Sequence, residues 1–94
     1  MSIAGQFKQK QPLEETVKIW NAAYKAADPV LRLMMEFEWA KEASRNPKLL
    51  DVMFKIGTKE LRDGCADKIK IFSEMESDKA KSKEYASMAG KLVG

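Results

Sequence analysis

The side chains able to do chemistry are few in this chain and poorly spaced for it. The closest carboxylate groups are Glu14-Glu15, Glu36 with Glu38, and Glu74 with Glu76. Helical neighbours one or two residues apart point to different sides, so no such pair can act on one reacting atom as acid and base. They read as solvated helix charges. Histidine is absent, which removes the commonest general base and the commonest metal ligand. The lone cysteine, Cys65, has no imidazole to draw off its proton, and it falls on an apolar stripe. It reads as an inert core thiol rather than a nucleophile. No calcium-loop spacing occurs, and the glycines are scattered rather than gathered into a phosphate loop. The sequence therefore offers no catalytic, metal or cofactor site, and an enzyme is not expected.

Two kinds of binding chemistry remain. Lys79, Lys81, Lys83 and Lys91 make the C-terminal end locally basic. On a helix Lys79 and Lys83 share a side while Lys81 points away, and Asp78 and Glu84 dilute the field. A duplex reader shows a denser stripe of Lys and Arg, so weak nucleic-acid binding is the alternative reading and not the leading one. The other chemistry is apolar. Leu31, Met35 and Trp39 recur at steps of four and continue to Ala43, an anchor geometry for helix-in-groove recognition. Trp20 and Tyr24, one helix earlier, extend this candidate partner-binding set with residue types favoured at interfaces. The competing reading is that helices of the same chain cover this ridge. Burying its three large side chains stabilises by roughly 6 kcal/mol, while association costs about 4 to 15 kcal/mol. The ridge alone cannot hold a complex.

The elements that must position these residues are helices. Pro12 followed by Glu14 and Glu15 suits a helix start, and Leu13, Val17, Trp20, Tyr24 and Ala27 trace one apolar face. A first helix is expected at 12–27. Asp28-Pro29 and Asn46-Pro47 each read as a cap followed by a first helical residue. They bracket a second helix at 29–45. The run "LRLMMEFEWA" inside it alternates apolar and acidic like a strand, but no partner strand or hairpin signal exists. Wound at 100° per residue it is apolar on two sides. Val30, Leu33, Met34, Phe37 and Ala40 gather on one, and Leu31, Met35, Trp39 and Ala43 on the other. Beyond Pro47 the stripe of Leu50, Phe54, Leu61, Cys65, Ile69 and Phe72 continues past two glycines. A break near Gly64 is expected, giving helices at 47–63 and 65–89, although one rod of about 65 Å is the other solution. In a continuous helix, Gly64→Ala should stabilise. Gly90 is expected near the end of the last helix.

Composition agrees with a folded domain. Of 94 residues, 45% are hydrophobic and 33% charged, with 17 Lys and Arg against 14 Asp and Glu. The first eleven residues lack the apolar core of a secretory signal, and no run is long enough to span a bilayer. A flexible arm at 1–11, a single helical domain at 12–90 and a short tail at 91–94 are expected. The fold class is all-α, a small bundle or extended helical hairpin of three to four helices. The functional expectation is a cytoplasmic, non-enzymatic module that binds another protein and self-associates as a homo-oligomer, with no membrane insertion and no cofactor.

Overall fold

A computed structural model describes residues 12–94, which form five helices and no strand. The arm expected at 1–11 lies outside the described residues. We label the helices α1 (Leu13–Ala26), α2 (Pro29–Arg45), α3 (Pro47–Ile56), α4 (Lys59–Met75) and α5 (Lys79–Val93).

The first boundaries follow from capping chemistry. Asp28 accepts a hydrogen bond from Leu31 N at 2.8 Å, with Pro29 at the first helical position. Asn46 accepts from Lys48 N at 3.1 Å and Leu49 N at 3.4 Å, ahead of Pro47. Each cap satisfies amides that have no partner within the helix. The strand-like run 31–40 is helical throughout.

The later boundaries correct the expectation of three to four helices. There is no break at Gly64, which sits inside α4. The chain breaks instead at Gly57 and again after Met75. Gly57 is extended, at φ −70° and ψ 142°, and Thr58 caps α4 by accepting from Leu61 N. At the second break Asp78 accepts from Ala80 N at 2.9 Å and Lys81 N at 3.4 Å. A hydroxyl or carboxylate able to cap decides both starts, and glycine alone does not. The last helix also runs past Gly90 to Val93, because Ala89 and Leu92 are drawn fully into the core.

Packing places α2 at the centre of the site. α4 and α5 form an antiparallel hairpin tied near its turn, where Ser73 Oγ donates to Ser82 O at 2.7 Å and Ser82 Oγ donates to Ser73 O at 2.8 Å. α2 lies on α4, and α1 lies on α3, which also touches α2 and α5. Between them are Val17, Met53, Leu61, Cys65, Ile69, Ala89 and Leu92, all without solvent exposure. Arg62 pins the hairpin's far end by donating to Leu92 O at 2.9 Å and Gly57 O at 3.2 Å. Lys91 pairs with Asp51, joining α5 to α3.

Candidate interaction surface

The two apolar sides of α2 have opposite fates. The Leu31–Met35–Trp39–Ala43 side turns towards α1. Trp39 stacks on Trp20 with ring centroids 4.7 Å apart and planes 10° apart, and Tyr24 leans on Trp39 at 6.4 Å. Such offset aromatic contacts add to simple burial. Ala43 and Tyr24 are buried, and Met35, Trp20 and Trp39 are half-buried against the core. Of the six residues expected to bind a partner, five are thus packed inside the chain and only Leu31 lies open, 44% exposed.

The other side is left bare over its first two turns. Val30 is 72% exposed, Met34 62%, Leu33 49% and Phe37 38%. Phe37 gains partial cover from Phe72, 6.3 Å between centroids, and from the Lys68 ammonium 5.4 Å above its ring. Only Ala40, the small residue of this side, is buried. Along the outward arc of α2 the character then changes abruptly. Glu38, Lys41, Glu42 and Arg45 make the second half charged and exposed. A helix facing only water would be polar along its whole outer arc. Sequence reasoning grouped Val30, Leu33, Met34 and Phe37 correctly but did not single them out. α4 meets α2 at Glu36 and Phe37, through Gly64, Lys68 and Phe72, and leaves Val30, Leu33 and Met34 outside.

Beneath this surface lies a buried polar network that fixes how α2 sits. Glu36 accepts from Tyr24 Oη at 2.5 Å and from Lys68 Nζ at 2.8 Å. The Glu36 and Lys68 side chains are only 12% and 10% exposed. Burial works against the Glu36 charge, yet the hydrogen bonds from Lys68 and Tyr24 outweigh it and hold the carboxyl below its ordinary pKa. Burial and the Glu36 bond push the Tyr24 phenol up to about 12. Burial likewise pushes the Cys65 thiol up to about 12, as suits a core thiol. Gly64 completes the arrangement. A Cβ there would stand 2.6 Å from Glu36 Oε2 and 2.9 Å from its Cγ. The glycine is the floor on which the carboxylate rests, and it takes an ordinary helical conformation.

Polar side chains around α1 brace helix ends. A cleft of about 620 Å³ is bordered by Lys18, Asn21, Lys25, Arg32, Thr58 and Glu60. Its Asn21 bridges Ile56 O and Thr58 N, and its Arg32 caps α1 through Tyr24 O and Lys25 O. Lys79, Lys81 and Lys83 are exposed, whereas Lys91 is tied to Asp51. Among the described residues, no helix is long and apolar enough to cross a membrane, and no three potential ligand side chains converge on a metal position. Compared with known family models, characterised proteins and solved structures, the chain has no significant match.

Proposed function

We propose that the chain is a small non-enzymatic helical module that binds and masks a surface on another protein, as an adaptor, assembly chaperone or inhibitor, and that it also self-associates. One observation carries this reading: α2 presents Val30, Leu31, Leu33, Met34 and Phe37 to solvent together, on the first half of one helix. An exposed apolar patch of a few hundred Å² on a folded protein is often where it binds. The candidate site is therefore this outer arc and not the ridge centred on Trp39. A cytoplasmic setting belongs to the proposal and rests on the lone, unpaired cysteine.

Magnitudes define the kind of binding. The five side chains leave the equivalent of roughly two and a half side chains bare, worth about 4 to 8 kcal/mol when covered. Association costs about 4 to 15 kcal/mol, so the patch supports reversible contacts and not permanent assembly. The nucleic-acid alternative loses Lys91, whose charge is matched by Asp51.

Photo-cross-linking separates the readings. A photoreactive residue at position 34 should give discrete protein adducts in cells that persist in moderate salt, while one at position 39 should give none. Adducts confined to positions 79–83 that vanish as salt rises would support the alternative and defeat this proposal.

A further inference from the structure

The cleft beside α1 is lined by cations that the fold does not use up. Lys18 and Lys25 lie seven residues apart on one face of α1, with the small Ala22 between them. Both are exposed, and neither ammonium is paired with a carboxylate among the described residues. Arg32 reaches in from α2. It donates from Nε to Tyr24 O at 2.8 Å and from Nη2 to Lys25 O at 3.1 Å, with its guanidinium 4.9 Å from the Tyr24 ring centroid. Those bonds occupy two of its five N–H groups, so three remain to donate.

The start of α4 closes the cleft. Asn21 clasps it by donating to Ile56 O at 3.0 Å and accepting from Thr58 N at 3.1 Å, which fixes its distance from α1. Thr58 Oγ1 accepts from Leu61 N, the third amide of α4, and leaves the first two at the positive end of the helix dipole. Among the described residues Glu60 is the one carboxylate on the walls, against three cations. Concave walls dominated by one sign of charge concentrate the field and draw in ions of the other. At about 620 Å³ the cleft falls within the roughly 300 to 1,000 Å³ of small-molecule sites.

We infer that this cleft binds a small-molecule polyanion carrying phosphoryl or carboxylate groups. Arg32 and Lys25 hold one anionic group, where the guanidinium offers paired N–H donors. Lys18 holds a second, because it lies about 10 Å away along α1. Ala22 leaves room between them for the body of the ligand. The site is distinct from the bare arc of α2 and does not depend on what covers that arc.

Calorimetry on the full chain tests this, with tripolyphosphate and citrate as probes for phosphoryl and carboxylate ligands, in about 0.15 M salt to screen diffuse attraction. At least one of the two should bind saturably. Lys18→Gln with Lys25→Gln should weaken that binding at least about 10-fold, as loss of a charge-assisted hydrogen bond does. Helical content should stay unchanged, since both side chains are exposed. Glu60→Gln should strengthen binding by removing the opposing charge. Lys79→Gln with Lys83→Gln, on the exposed side of α5, should change it less than about 2-fold. Equal losses from the two lysine pairs would mean diffuse attraction to any basic surface and overturn the inference. So would saturable binding of neither ion, and a hexaglutamate peptide that bound in their place would assign the cleft to an acidic protein segment instead. Photo-adducts from position 34 test the arc separately, so failure here leaves that reading standing.

Discussion

Replacing Gly64 with alanine tests the network that seats α2. Helix propensity alone favours the change by about 1 kcal/mol, because glycine is a poor residue in a helix interior. The structure opposes it. The new methyl would lie 2.6 Å from Glu36 Oε2, 2.7 Å from Cδ and 2.9 Å from Cγ, so the carboxylate must move. That carboxylate is held by Tyr24 at 2.5 Å and Lys68 at 2.8 Å, and moving it weakens both bonds together. Hydrogen bonds to charged groups contribute roughly 1.5 to 3 kcal/mol each. Losing both would cost roughly 3 to 6 kcal/mol, which the propensity gain reduces to a net cost of about 2 to 5 kcal/mol. In a domain of this size each kcal/mol moves Tm by about 4 to 8 °C. Thermal unfolding at fixed protein concentration should therefore show Gly64→Ala melting at least about 10 °C below wild type. In a Glu36→Ala background the same substitution should become neutral or slightly stabilising, because nothing remains to collide with. A higher Tm in the wild-type background would refute the close approach of Glu36 to α4.

Other expectations follow from the same contacts. Glu36→Ala strands the Lys68 ammonium in a buried site and should cost about 3 to 5 kcal/mol, measured by urea unfolding. The Glu36 carboxyl has a lowered pKa in the folded chain, so its contribution is present above the ordinary carboxylate range and lost as pH falls through the folded value. At the other extreme, the Cys65 thiol and Tyr24 phenol ordinarily ionise near 9.0 and 10.0 but resist to about 12 in the fold. Their neutral forms are favoured by folding, so stability should fall as pH rises from 9 towards 12, and Cys65→Ala should flatten the earlier part of that decline. Trp39→Ala should lower stability by about 2 to 4 kcal/mol through loss of the Trp20 stack, while leaving self-association largely intact in the folded fraction. Thr58→Ala should cost about 1 kcal/mol, the usual value of an N-cap, with circular dichroism melts as the check.

Much of the fold was legible because local chemistry dictates it. Asp28-Pro29 and Asn46-Pro47 mark α2 and α3 almost to the residue, since cap and proline act on their own neighbours. The break assigned to Gly64 failed for the opposite reason. A glycine inside a helical pattern states only that a Cβ is absent, and the cause here is a carboxylate from a helix far away in sequence. Gly57-Thr58 and Ser77-Asp78 carried the true signals, a capping side chain at each start. The site was half legible. Periodicity shows that α2 is apolar on two sides, but the choice of which side α1 covers is tertiary. It turns on the Trp20–Trp39 stack and on Gly64 admitting Glu36 to α4, and neither is visible in a single helix.

The methionine methyl groups report directly whether the first half of α2 faces outward and is covered only by association. A soluble paramagnetic agent broadens the NMR signal of every methyl that water reaches. In dilute protein the Met34 and Met75 methyls, on residues 62% and 78% exposed, should broaden strongly while that of fully buried Met53 stays sharp. As the protein is concentrated Met34 should become protected and Met75 should not. A Met34 methyl as sharp as that of Met53 at every concentration would mean that the first half of α2 is buried within the chain.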